Sequence, residues 1–382
     1  MIFVIGCDGY IGHALTLKLL EEDYDVLGID NFSRRKFVEE MGSVSATNID
    51  DEGRYIHLSS YSNFNFINLD IEKNRDALFK LFKKYKPRVV VNLAQQPSAP
   101  FSHRSVNHTI NTTTNNLVGT INVLYAMGAY VSDAQLIQIG SMGEYDHSID
   151  VNIAEGIFEF EYKNRRSKKS IFPRRPGSFY HASKVASTYY IDCACRWWGL
   201  RATDIMQGIV YGVWTPETEK HNLLTRLDSD EAFGTVIHRF VIQSIIGSDL
   251  TIYGDGLHKR GFIALNDSIQ CLMLAIKNKI DKGTYRTWNQ LDTVHSMNDI
   301  ADTVIKISKN YRIETNKKYI ESPRKEFICD HYYNPEVNNL KELGFSPSRK
   351  LEEEINYIFR TLVPYKDKLK KLKKVVNPII RW

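Results

Sequence analysis

The chain has little that marks it for an oxidising compartment. Its 382 residues include five cysteines. Cys7, Cys193, Cys195, Cys271 and Cys329 form no CxxC pair and show no metal-ligand spacing. Cys193 and Cys195 are two apart, so on a helix they point away from each other. Reduced structural thiols and no metal site are expected. Long apolar runs are absent too, which leaves no candidate membrane span. Met1 leads straight into Ile2-Phe3-Val4-Ile5, with no basic segment and no small-residue cleavage site. No targeting segment is therefore expected, and the cytoplasm is the expected location. The sequon Asn107-His108-Thr109 means little without a secretion signal. A formal charge of +5 is small for this length. Without a basic stripe and interleaved aromatics it speaks against a nucleic-acid binder, while permitting an anionic ligand. The densest charge run, Lys366 to Lys374, reads as a solvated helix face. There are no repeats and no low-complexity linker.

What is there suits a globular protein. Hydrophobic residues make up 43% and charged residues 25%, enough for one large domain with a smaller one attached. Strands are expected at residues 2–5, 26–30, 88–93, 135–140 and 201–206. Helices are expected at 10–22, 73–85, 109–130 and 178–198. A polar stretch from Asn31 to about Asn65 reads as an insertion, and the stretch from Gly140 to Gly177 reads as irregular. Such alternation predicts an α/β fold, a doubly wound parallel sheet of the Rossmann type. Beyond about Val213 the pattern loosens. The expected division is therefore a dinucleotide-binding domain at 1–212 and a smaller mixed α/β substrate-binding domain at 213–382, with a strand able to return to the first.

Gly6-Cys7-Asp8-Gly9-Tyr10-Ile11-Gly12 lies where the first strand turns into the first helix. Glycines at spacings of three and three let the backbone approach a pyrophosphate, at which the helix N-terminus points its free N–H groups. Asp30 ends the second strand, close to the distance expected of a carboxylate that binds adenosine ribose hydroxyls. It would repel a 2′-phosphate, which favours NAD over NADP. Arg34 and Arg35 follow closely and could accept such a phosphate. Asp70 could reach the adenine amino group or cap a helix. Asn31, Ile71 and Leu93 complete the expected cofactor contacts, together with Tyr180 and Lys184.

Tyr180 and Lys184, in Tyr180-His181-Ala182-Ser183-Lys184, are four apart and share a helix face. A phenol with a pKa of about 10 is a poor base at neutral pH. A nearby ammonium would lower that value. Ser141 closes a strand at the carboxyl edge, where its hydroxyl could bond the same substrate oxygen as Tyr180.

These residues resemble the extended short-chain dehydrogenase/reductase superfamily, whose members mostly transform nucleotide sugars. Within it the resemblance is to the UDP-sulfoquinovose synthases. It is carried by Gly6-Cys7-Asp8-Gly9-Tyr10, Ser98-Ala99-Pro100, Ser141-Met142-Gly143-Glu144-Tyr145, Phe179-Tyr180-His181-Ala182-Ser183-Lys184, Gln207-Gly208-Ile209-Val210-Tyr211-Gly212, His331-Tyr332-Tyr333-Asn334 and the run from Thr215 to Thr235. The resemblance implies conversion of UDP-glucose and sulfite to UDP-sulfoquinovose. That route would run through NAD-dependent C4 oxidation, loss of water across C5 and C6, sulfite addition at C6 and return of the hydride. It also implies a homodimer or homotetramer. The elimination needs acid–base groups near C5 and C6. Glu144 and His181 are the candidates, against readings as a surface loop carboxylate and a packed histidine. For the nucleotide sugar the candidates are Gln96, Ser141, Met142, Gln207, Arg239, Tyr253, Arg260 and Arg324. Arginine suits a diphosphate through its forked donors, against a lesser reading of Arg260 and Arg324 as surface salt bridges. Asn115 could organise a proton relay or be a buried amide.

The chain also departs from the family. Gln95-Gln96-Pro97 stands where plant members carry Glu-Gln-Arg, Met206 where they carry asparagine, and Ser141 where they carry threonine. Related dehydratases place an Asp-Glu pair directly after the hydroxyl residue. Met142 and Gly143 occupy those positions here. Other readings are a nucleotide-sugar 4-epimerase, a 4,6-dehydratase and a regulatory NAD-binding protein without catalysis.

Overall fold

The computed structural model describes residues 1–47, 54, 57–147, 151–324, 332–377 and 380. Seven parallel strands make the main sheet, in the spatial order Tyr285–Gln290, Arg201–Gln207, Gln135–Ile139, Val89–Asn92, Ile2–Ile5, Val26–Asp30 and Phe64–Asn68. The Ile2–Ile5 and Val89–Asn92 strands are buried at every position. Their near-continuous apolar sequence suits strands covered on both faces. Helices Tyr10–Glu21 and Leu265–Lys277 pack on one face, where Leu15 and Leu272 share a core. Helices Arg75–Tyr85, Gly119–Tyr130 and Phe179–Trp198 pack on the other, where Phe82, Val123 and Ile191 share a second.

The chain lays strands outward from Ile2–Ile5 in one direction, then returns and builds the other way from Val89–Asn92. A crevice opens at that reversal, beyond the carboxyl ends of the strands. The seventh strand, Tyr285–Gln290, comes from far beyond Val213 and pairs with Arg201–Gln207 from Tyr285↔Ala202 to Gln290↔Gln207.

Three stretches differ from the sequence expectation. The Asn31–Asn65 stretch holds a helix at Ser33–Glu40 and begins the edge strand Phe64–Asn68. The irregular stretch before Gly177 contains an antiparallel hairpin of Ile157–Tyr162 and Arg165–Ile171. Its turn places Lys163 and Asn164 both at positive φ, which matches the twist of the paired strands. The helix expected over 109–130 is broken by a π turn at Thr114–Val118, between Val106–Thr113 and Gly119–Tyr130. Such turns are frequent at functional sites.

The second half adds a three-stranded sheet of Thr293–Ser296, Lys259–Ala264 and Ile209–Tyr211, and a pair formed by Leu250–Tyr253 and Lys317–Ile320. Helices Val236–Ile245, Met297–Ser308 and Leu351–Leu362 close a separate core around Phe240, Ile300 and Phe359. In the lysine-rich tail, Leu369 and Leu372 are buried in this core, and the charged residues form its solvated face. Among the described residues, no helix is long and apolar enough to cross a membrane. Nor does any group of three or more His, Cys, Asp or Glu side chains there suit a metal ion.

Candidate active site

One cavity of about 550 Å³ occupies the crevice. The glycine turn forms one wall. Gly6 has φ +91°, and a Cβ there would stand 2.7 Å from the Leu93 carbonyl carbon. A Cβ on Gly12 would stand 2.0 Å from the Gly6 carbonyl oxygen. Only glycines allow this approach of helix to strand. Gly9 precedes the Tyr10–Glu21 helix, and no side chain caps that helix's first turn. Its N–H groups are thus placed for an anion. These features fit a dinucleotide pyrophosphate.

Asp30 lies on the same wall. One of its oxygens accepts the Asp8 N–H at 2.9 Å, and the other accepts the Phe32 N–H at 2.8 Å. Burial, aided by the nearby Asp8 charge, pushes its carboxyl up to about 6. Both neighbouring arginines are held by carboxylates. Arg35 grips Asp8 with two bonds of 2.8 and 2.7 Å. Arg34 donates to Asp228 at 2.7 Å and lies over the Phe233 ring at 3.9 Å. Neither charge therefore stands uncompensated where a 2′-phosphate would sit.

Tyr10, Ile11, Asn31, Ile71 and Leu93 also line the cavity. The Tyr10 hydroxyl is bonded to the Gly212 carbonyl, at 2.5 Å. Asp70 is not on the wall. It accepts the Glu72 and Lys73 N–H groups and the Asn31 amide, the arrangement of a turn-capping aspartate.

Ser141, Tyr180 and Lys184 meet on this cavity. Ser178 caps the Phe179–Trp198 helix by accepting the His181 N–H, and this starts Tyr180 and Lys184 on one buried face. The Lys184 ammonium lies 5.7 Å from the centre of the Tyr180 ring. It donates to the Ile139 carbonyl at 2.6 Å and to Gln95. Burial lowers its pKa. Tyr180 departs from the sequence expectation. Burial and then the Glu144 charge push its phenol well above the ordinary value, against a bond to Ser141 that lowers it. Lys184 alone does not make it a phenolate.

The structure separates the two acid–base candidates. His181 lines the cavity, with Nδ1 2.8 Å from Ser178 Oγ and its ring 4.7 Å from that of Tyr180. A Cβ on Gly143 would stand 2.3 Å from His181 Nε2, which explains a glycine there. Burial, then Arg260 and Lys184, lowers His181 to about 3. Glu144 is fully buried beneath Ser141 and does not line the cavity. Its Oε1 accepts the Ser141 N–H at 2.8 Å, and burial raises its pKa. It is neither a surface carboxylate nor a group facing substrate.

The far end of the cavity is cationic. Arg239, Arg260 and Arg324 line it with Gln207, Met142 and Tyr253. Arg239 is buried, donates to the Tyr253 hydroxyl and to the Thr251 carbonyl at 3.0 Å, and lies 4.5 Å from the Tyr253 ring centre. Arg324 approaches that ring too, at 5.5 Å. The Gln96 carboxamide is turned inward onto Thr112 and Ser98, whereas Gln95 holds the lysine. Asn115, in the π turn, lines the cavity and donates to Asn116 at 3.0 Å.

Sequence reasoning missed His147, Arg175, Gln95, Thr188 and Asp204. His147 and Arg175 line the cavity. His147 Nε2 lies 3.0 Å from the Met142 carbonyl, and burial lowers its pKa to about 4. Asp204 was the most visible signal, a carboxylate inside a strand buried on both faces. Tyr333 lines the cavity, while His331 of the same motif lies outside the described residues.

Comparison with known proteins shows the family and the fold. Residues 2–289 match the family model described as the NAD dependent epimerase/dehydratase family. The chain is 37% identical to the UDP-sulfoquinovose synthase of Sulfolobus acidocaldarius, across 100% of this chain and 97% of that one. It is 36% identical to the chloroplastic UDP-sulfoquinovose synthase of Spinacia oleracea, across 100% of this chain and 79% of that one. Its fold matches a Bacillus cereus UDP-glucuronic acid 4-epimerase solved with UDP-glucuronic acid and NAD, at a TM-score of 0.71 and 21% identity, covering 96% and 99% of the two chains.

Proposed function

The chain belongs to the NAD dependent epimerase/dehydratase family as an NAD-dependent enzyme of nucleotide sugars, and we propose that its own reaction joins sulfite to UDP-glucose to give UDP-sulfoquinovose. The full-length identity to two synthases of that name supports this reading most directly. The meeting of Ser141, Tyr180 and Lys184 beside a cationic pocket supports the nucleotide-sugar half of the reading.

In this reading the glycine turn, Asp30 and Lys184 hold NAD, which when bound supplies a cationic ring that takes the C4 hydride and later gives it back. With that cationic ring beside it favouring the charged form of its phenol, Tyr180 would remove the C4 hydroxyl proton, with Ser141 bonded to the same oxygen. A C4 ketone makes the C5 hydrogen acidic. Loss of that proton and of the C6 hydroxyl, as water, leaves a C5–C6 double bond. The sulfur lone pair of sulfite then forms the C6–S bond, and C5 regains a proton. Tyr180 returns its proton as C4 is reduced. Starting sugar, sulfite and one proton thus become the sulfonate and water, with no net oxidation of the cofactor.

His181 is the side chain we assign to the proton traffic at C5 and C6. Arg260, which lowers its basicity, would be paired by the diphosphate. Binding of substrate would then remove the Arg260 share of the lowering, while burial, the larger cause, remains. Arg239, Arg260 and Arg324 hold the diphosphate, and Tyr253 flanks it.

The test is incubation of the purified protein with UDP-glucose, with and without sulfite, followed by mass spectrometry. A sulfonated UDP-sugar that forms only with sulfite is expected. Formation of the C4 epimer alone, or no product while NAD and UDP-glucose are bound, would overturn the synthase reading.

A further inference from the structure

We propose that Glu144 and Asp204 hold one proton between them through Thr188, and that this buried pair sets the charge beneath Tyr180 and Lys184 without touching substrate. The clause about Tyr180 and Lys184 rests on the functional reading above. The shared proton does not.

Thr188 Oγ1 lies 2.7 Å from Asp204 Oδ2 and 3.0 Å from Glu144 Oε2. A threonine hydroxyl brings a single hydrogen. It can donate to one of these oxygens, and the other contact then joins two acceptors unless that carboxyl donates back. Asp204 Oδ2 also accepts the Tyr285 hydroxyl, at 2.9 Å. Asp204 is therefore the ionised member, and Glu144 Oε2 carries the O–H toward Thr188. The Arg174 contact agrees. Its Nη1 lies 3.4 Å from Glu144 Oε2, longer than the roughly 2.7–2.9 Å of a charge-assisted bond.

Among the described residues, the other charged and titratable groups facing the pair are Arg174, Lys184, Tyr145, Tyr180, Tyr285 and the Cys195 thiol. Both carboxyls are fully buried, and two carboxylates at one buried site resist ionising together. Lys184 is pulled upward by both carboxyls, and Tyr180 is pushed upward by Glu144. Loss of the shared proton would add a second negative charge next to both catalytic side chains and raise both pKa values. The pair is a positioning element that keeps the added charge away while Tyr180 works.

The test begins with the wild-type full chain and needs no substrate. The protein is labelled with 13C at glutamate Cδ, aspartate Cγ and tyrosine Cζ, and Glu144→Gln and Asp204→Asn identify the two carboxyl signals. At neutral pH, Glu144 should give the signal of a protonated acid and Asp204 that of a carboxylate. Two carboxylate signals in folded wild-type protein would overturn the shared proton. Thr188→Val, nearly the same shape without the hydroxyl, removes a donor that favours the charged form of Asp204, so the pair should keep its protons to higher pH and the Tyr180 titration should move down by about one unit, tenfold in proton affinity. Thr188→Ser should restore it. A Tyr180 titration unmoved in folded Thr188→Val would overturn the influence on the catalytic side chains. If the wild type makes no sulfonated sugar yet shows these signals, the synthase reading fails and the proton-sharing pair stands.

Discussion

Replacing Asp30 with asparagine should remove a pH dependence of NAD binding that the wild type must show. In the free chain, burial and Asp8 hold the Asp30 carboxyl up at about 6. Ribose hydroxyls donated to it would favour the charged form and return it toward the ordinary aspartate value of about 3.9. The shift is then about two units, or roughly 3 kcal/mol at about 1.4 kcal/mol per unit. The sign follows from which form each state prefers. The free protein keeps the proton below about pH 6, and binding must expel it. Affinity should therefore rise by up to tenfold per unit between about pH 4 and 6 and level off above that. At about pH 5, calorimetry in buffers of different ionisation enthalpy should count close to one proton released per NAD. Asp30→Asn should bind more weakly at neutral pH and release none. The same linkage also acts on folding. An acid whose folded pKa is raised is less stabilising to the fold above that pKa, so Asp30→Asn should lose less stability than wild type as pH rises through about 6. An unchanged proton count in Asp30→Asn would refute the assignment of Asp30 to the ribose.

Three other outcomes follow from the geometry. Tyr180→Phe should keep NAD binding and thermal stability while losing about 10²–10⁴-fold in turnover, read as product formed per enzyme. Gly12→Ala puts a methyl 2.0 Å from a backbone oxygen. An overpacking cost of about 1–3 kcal/mol should appear as NAD affinity lowered by roughly 5- to 150-fold in titration calorimetry. Arg239→Lys should fail to rescue the loss of UDP-glucose affinity in Arg239→Ala, because one ammonium cannot make the contacts of the forked guanidinium. A lost charged hydrogen bond of about 1.5–3 kcal/mol predicts about 10- to 150-fold in Kd.

The parts legible in the sequence were those written in local periodicity. Apolar runs such as Ile2–Ile5 announced the buried strands, and the glycine turn announced its own position. The edge strand Phe64–Asn68 was hidden because asparagines interrupt it and most of its side chains are only partly covered. The Arg165–Ile171 hairpin strand was hidden because its sequence is mostly charged and exposed hairpins need little apolar alternation. In the site, spacing sufficed for Tyr180 and Lys184, which share one helix. It could not place Glu144, whose position in the 141–145 segment says nothing about which side of the sheet edge its side chain takes. Nor could it find Gln95 beside Lys184 or Thr188 beside Asp204. Those contacts join separate elements through the tertiary fold.

The strand Tyr285–Gln290 makes the order of synthesis matter. Until the ribosome has delivered it, Arg201–Gln207 offers a bare row of amides and carbonyls on the growing sheet. The nascent first half thus has a sticky border, and the Tyr285 hydroxyl that steadies Asp204 arrives only with the capping strand. A gene split after residue 212 should therefore yield an aggregating fragment, whereas supplying the second half as a separate chain would give the exposed border its natural cover.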